Sequence, residues 1–309
     1  MQFCSSCNYG NNSIDKITNR MGRDAIAEQY PKVPGEEILL QGTSRTLYAE
    51  LKGYYTTALS ALKNSTAKDG VKLIVVVLTP EAPKARSAAN IYGISHITAA
   101  AAMLGIEYLD LSADMPADPA LSISGRWTKE GAAYIAGRLD TLLRNYDDYE
   151  AATINKEKLP ATFGDLEPGT NETVNDGEGP AYKLTVNKHG LRMGYGLAAN
   201  KTKQRILFLG DELVYCPYLD DGQTITGQLQ QRIPGKEILN AGNSNYTMDD
   251  YTSLYRDKGR YANPDIVVVC TNGGDILEHY FSQRNHFSRT VLPYKPSAAE
   301  QQFYHKTFD

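Results

Sequence analysis

The stretch Arg205-Ile-Leu-Phe-Leu-Gly-Asp-Glu212 limits the possible folds of this chain more than any other. An unbroken apolar run of this length reads as a strand buried on both faces, and Gly210-Asp211 stops it abruptly. Two further runs have the same character: Val71 to Leu78, ended by Thr79-Pro80, and Asp265 to Cys270. Shorter strands are expected at Glu237–Leu239 and Ile106–Leu111. Between them apolar residues recur at helical spacing over Leu47–Lys63, Ile97–Leu104, Trp127–Leu143, Thr224–Gln231 and Met248–Tyr261. Buried strands alternating with helices predict a three-layer α/β/α sandwich around a parallel sheet.

Composition narrows the function classes. At 309 residues and 41% apolar content the chain can bury a sizeable core. A net charge of −4 without any basic run argues against nucleic acid as a partner. No apolar stretch approaches the roughly 20 residues of a membrane span. The start, Met-Gln-Phe-Cys-Ser-Ser-Cys7, lacks the charged and apolar regions of a secretory signal. Cys4 and Cys7 form one Cys-x-x-Cys without a second pair or a nearby histidine, which falls short of a zinc motif and leaves their pairing open. Cys270 reads as a small core residue. No cofactor motif is present.

The chain divides by pattern into a half spanning 1–145, a connector over 146–204 and a half spanning 205–309. The connector carries Asn, Asp, Glu, Gly and Pro with little periodicity, apart from a small alternating strand at Tyr182–Val186.

Several motifs carry a family resemblance. Asn187-Lys-His-Gly-Leu-Arg192, a gap, and Arg205 to Asp211 look like the lead-in and first block of the SGNH (GDSL) hydrolases. Ile238-Leu-Asn-Ala-Gly-Asn-Ser-Asn-Tyr246 resembles the second block, and Asn263 to Cys270 followed by Thr271-Asn-Gly-Gly-Asp-Ile276 the third. The terminal block resembles Gly125-Arg-Trp-Thr-Lys-Glu-Gly131, which here comes first. The resemblance implies a flavodoxin-type sheet of order 2-1-3-4-5, with strands near 205–210, 236–240, 265–270, 72–78 and 106–110, in apparently permuted order. Circular permutation and a chain straddling two tandem domains both produce this order. Closure within the chain is favoured because an unpaired apolar third strand is a liability. Pairing between molecules through sheet edges would instead give an open polymer.

In that family a serine attacks an ester, a histidine takes its proton, an aspartate orients the histidine, and amide donors hold the oxyanion. Transferred position by position, the serine falls at Glu212, the histidine at Arg126, and the aspartate at Ile123 or Ser124. The oxyanion glycine falls at Asn245, and the oxyanion asparagine at Gly274 beside a retained Asp275. A carboxylate at Glu212 repels an oxyanion, and an arginine cannot serve as the base. Asp211, Glu212 and Asp275 at adjacent strand ends would suit a cation or carboxylate chemistry, against an ion pair of Glu212 with Arg126 that plugs a dead pocket. The expectation is a non-catalytic SGNH-like module with a structural, assembly or glycan-associated role. The alternatives are a divergent esterase with a non-serine site and a polymer built by exchange of half-domains. An extracytoplasmic setting is implied by the resemblance alone.

His279 and His286 read as surface residues, His96 as the start of an apolar helix, His189 as a structural residue of the Asn187–Arg192 turn, and His305 as lying near the end.

Overall fold

A computed structural model describes residues 45–80, 88–116, 118, 120–123, 125–149, 162–175, 177, 179–244 and 246–276. In chain order these form helix α1 (Arg45–Lys68), strand β1 (Lys72–Val77), α2 (Ala88–Met103), β2 (Glu107–Asp110), β3 (Ser122–Ile123), β4 (Arg126–Trp127) and α3 (Lys129–Leu143). There follow β5 (Asn171–Val174), β6 (Tyr182–Thr185), β7 (Arg205–Leu209), α4 (Glu212–Tyr215), α5 (Ile225–Arg232), β8 (Glu237–Asn240), α6 (Met248–Asp257) and β9 (Ile266–Thr271).

Five strands make one sheet in the order β2-β1-β9-β7-β8, every neighbour pair parallel. Counted from β7, this is the order 2-1-3-4-5 implied by the resemblance. The join between the two halves is β1 against β9, in register from Lys72 opposite Ile266 to Val77 opposite Thr271. The third strand therefore finds its partner within the chain.

Alternation along each strand builds the three layers. Leu73, Val75, Val77, Leu207, Leu209, Val267 and Val269 face one side, against Tyr55 and Leu59 of α1, Ile97 of α2 and Tyr255 of α6. Ile74, Val76, Ile206, Phe208, Val268 and Cys270 face the other, against Ile135 and Leu139 of α3 and Leu229 of α5. Because both faces are covered, the strands carry no polar alternation, which is why they read as continuous apolar runs. At 25 cal/mol per Å² such burial is the main term holding the layers together.

The strand expectations match within a residue or so, while helix ends differ. α2 begins nine positions before the expected Ile97, so His96 lies inside a helix rather than at its start, where its Nε2 lies 3.2 Å from Thr56 Oγ1. Gly93 hid this extension, since an interior glycine usually argues against a helix. Its place in α2 is forced by close approach: a Cβ there would lie 2.0 Å from the carbonyl oxygen of Gly273. Gly93→Ala is therefore expected to destabilise the fold by about 3 kcal/mol, because backbone rather than a flexible side chain must yield. A urea melt checks this, and a loss below about 0.5 kcal/mol would refute the contact. α3 starts at Lys129 rather than Trp127, since Thr128 caps it by accepting the Gly131 amide at 3.1 Å.

The connector is not structureless. β5 and β6 pair antiparallel, Asn171 opposite Thr185. β5 escaped notice because its Asn-Glu-Thr are exposed and lack alternation. Its partner β6 lies within the expected Tyr182–Val186 strand.

The β8 edge is closed to further pairing. Arg192 N donates to Asn240 O at 3.0 Å, Tyr195 Oη donates to Ile238 O at 3.1 Å, and Gln230 Oε1 accepts from Ile238 N at 2.9 Å. These outward backbone groups of Ile238 and Asn240 are therefore paired within the chain. Among the described residues no helix is long and apolar enough to cross a membrane.

Candidate functional site

The parallel sheet brings the ends of β7, β8 and β9 together at its carboxyl edge, where open α/β sheets place ligands. At the end of β7, Asp211 is buried and caps α4, its Oδ1 accepting from Leu213 N at 2.9 Å. Glu212, half-buried, is the first residue of α4, the place the resemblance assigns to the nucleophile. α4 contacts both β9 and β4, the latter carrying Arg126. Arg126 is also half-buried, and its guanidinium lies 4.8 Å from the centre of the Tyr218 ring, a cation–π contact.

The third-block loop turns inward on itself. Asp275 is 3% exposed, and its Oδ2 accepts from Thr271 Oγ1 at 2.7 Å and from Asn272 N at 3.2 Å. Its Oδ1 accepts from Asn272 Nδ2 at 2.5 Å, while Asn272 Oδ1 takes the Gly274 amide at 2.6 Å. The Thr271 hydroxyl lies 3.0 Å from that of Tyr55, extending the chain of hydrogen bonds into α1. Burial, opposed by the Thr271 and Asn272 donors and reinforced by the charge of Glu212, raises the Asp275 carboxyl to about 7. Glu212 and Asp275 are thus brought within electrostatic reach of each other.

The glycine amides of the second and third blocks are engaged within their own loops. Gly274 gives its amide to Asn272. Gly242, the glycine of the second block, gives its amide to Asn240 Oδ1 at 2.9 Å, and Asn240 Nδ2 is held by Val214 O and Thr226 Oγ1. Asn245 and Ser124 lie outside the described residues, as do Cys4, Cys7, His279, His286 and His305.

Among the described residues no group of three His, Cys, Asp or Glu side chains is placed to hold a metal ion. The carboxylates of Asp211 and Asp275 accept from amides and hydroxyls of their own loops. Cys270 and Cys216 are buried free thiols, both raised above the ordinary range by burial, which suits core residues rather than nucleophiles. His189 stacks on Phe163 at 4.7 Å, as a structural histidine does.

Sequence reasoning missed the loop that leaves α4. Cys216 and Tyr218 are both left-handed, with φ of 54° and 67°, a conformation uncommon for residues other than glycine. Arg192 holds this loop from below. Its fully buried guanidinium donates to Tyr215 O, to Cys216 O at 3.0 Å, to Leu219 O at 2.5 Å and to Asp221 Oδ1 at 3.1 Å. The rings of Tyr182 and Tyr215 lie 5.2 Å and 4.9 Å from it. The only sequence signal was its position in the block leading to β7.

The strand order is the one that the resemblance to the SGNH hydrolases implies. No protein-family model and no curated protein matches it. Among solved structures it is similar to the O-acetyltransferase domain of Pseudomonas putida AlgJ, at 14% identity and TM-score 0.47 over 84% of this chain and 90% of that one. It is also similar to Pseudomonas aeruginosa AlgX, at 17% and 0.43 over 74% and 59%, and to Bacillus cereus PatB1, at 13% and 0.37 over 74% and 91%.

Proposed function

We propose that the chain is a non-catalytic SGNH-like module with a structural, assembly or glycan-associated role. The observation that carries this reading is Glu212 at the start of α4, directly after the Gly210-Asp211 that ends β7. A carboxylate there offers no hydroxyl to add to a carbonyl and opposes the negative charge that acyl transfer develops. Arg126 in the histidine position cannot take a proton from any nucleophile.

The reversed order of the halves, 1–145 before 205–309 with 146–204 between, is part of the proposal as a circular permutation. The pairing of β1 with β9 inside one chain supports it over exchange of half-domains between molecules. An extracytoplasmic setting belongs to the proposal through the resemblance alone.

A second reading, an esterase working through a carboxylate, draws on one observation: Glu212 helps hold Asp275 near neutral, where an acid or base is useful. Hydrolysis of p-nitrophenyl acetate by the purified chain and by Glu212→Ala separates the two. The expected result is equal rates, at the level of the uncatalysed reaction. Turnover that disappears with Glu212→Ala would overturn the non-catalytic reading and make Glu212 a working group.

A further inference from the structure

α2 is a helix without charge. Its 16 residues include no Asp, Glu, Lys or Arg, whereas every other described helix of eight residues or more carries at least one. A helix that is apolar all round is normally covered all round. α2 is covered on one side only. Ile94, Ile97, Ala100 and Ala101 pack into the core beneath it. Ile91, Ser95, Ala99, Ala102 and Met103 recur at helical spacing along its outer side and are exposed, Ile91 by 48% and Met103 by 72%. Single apolar residues on a surface are ordinary, but depletion of charge along a continuous ridge marks the centre of a protein interface.

The spacing of the ridge identifies its partner. Ile91 and Met103 stand six positions either side of Ile97, and Ser95 and Ala99 two positions either side. Reversed end to end, the ridge therefore repeats its own order of large, small, small, large. We infer that the outer face of α2 pairs with the same face of a second copy of the chain, the two helices antiparallel about a two-fold axis level with Ile97. Ile91 of each copy then meets Met103 of the other, and the small Ser95 and Ala99 let the helices close in between them. A two-fold contact must be complementary to itself, which an uncharged face can be and a face of one charge sign cannot. Beside the ridge, a groove of 660 Å³ lined by Gly53, Thr57, Ser60 and Ala61 of α1 and by Leu104 continues the face, with Lys52 its only charged lining residue. The ridge is about 18 Å long, so the contact lies at the small end of specific interfaces and the dimer is reversible, with an expected Kd of about 10 μM. The inference stands whether or not the site turns over esters.

Sedimentation velocity of the whole chain from about 1 to about 100 μM tests the pairing. The expected result is a monomer at the low end of that range and a dimer at the high end. Ala99→Glu sets two like charges near the axis, and Met103→Lys buries an ammonium at each end of the contact. Each is expected to weaken the dimer about a hundredfold, with the Tm of the monomer unchanged because both positions are exposed in the single chain. Oxidation of a mixture of Ser95→Cys and Ala99→Cys chains is expected to join positions 95 and 99 across the axis, a link read by peptide mass spectrometry. A monomer at about 100 μM, a dimer equally strong in both charged variants, or a dimer that forms no 95–99 link would each overturn the pairing. A monomer whose Met103 resists oxidation by peroxide would also overturn it, and would assign the face to a part of the chain outside the described residues.

Discussion

Arg192→Met is expected to lower the unfolding free energy by about 3–5 kcal/mol, the usual loss when one partner of a buried charged cluster is removed. For a domain of this size that corresponds to a fall in Tm of roughly 10 °C. Methionine fills much of the volume but leaves the carbonyls of Tyr215, Cys216 and Leu219 and the carboxylate of Asp221 without their donor. The loss is large because that one guanidinium satisfies four acceptors around a loop containing two left-handed residues. Arg192→Lys should recover only part of it, since an ammonium keeps the charge without the planar fork. Thermal and urea denaturation check both, and a loss below about 1 kcal/mol for the methionine variant would show that the loop stands without its arginine.

The second large effect is on pH dependence. A carboxyl that titrates near 3.9 in an unfolded chain and at about 7 as Asp275 in the fold binds its proton more tightly when native. Its contribution is fully present below about pH 4 and is lost as pH rises through 7. Three pH units correspond to about 4 kcal/mol. Tm is therefore expected to fall between pH 5 and pH 8, and Asp275→Asn to flatten that fall. The slope is the readout rather than the level, because an amide at 275 sets an N–H against the Asn272 side-chain donor at every pH. Glu212→Gln should move the fall to lower pH, having removed a charge that opposes ionisation of Asp275. Equal slopes in the native chain and Asp275→Asn would mean that the carboxylate is ionised throughout, stabilised by Thr271 and Asn272.

Both effects arise at places where residue identity alone was uninformative. Arg192 read only as the last residue of the lead-in block, and Asp275 as a retained acid that could join Asp211 and Glu212 at a cation. An arginine becomes a buried keystone only when the chain folds four acceptors around it, and those acceptors lie between Tyr215 and Asp221. The raised carboxyl likewise depends on burial and on Glu212, contributed by a different strand end. The β5–β6 hairpin was invisible for another reason: its first strand is polar, so its stability comes from contacts with Tyr215 and Tyr218 rather than from its own pattern.

What the sequence determined by itself was the layered sheet. Its apolar runs are buried on both faces, so burial alone marks them as strands, and the block order around Gly210-Asp211 implied their sequence across the sheet. Also legible was that Glu212 and Arg126, at the positions the resemblance gives to serine and histidine, offer neither a hydroxyl nor a base in any conformation. Tertiary structure alone decided which partner each polar group takes: β1 against β9, Gly242 to Asn240, Asp275 to Thr271 and Asn272, and Arg126 to Tyr218. The physical reason is range. Hydrophobic burial is non-directional and follows local composition, whereas hydrogen bonds and ring contacts form only between atoms a few ångströms apart, which residues distant in sequence reach only once the chain has closed.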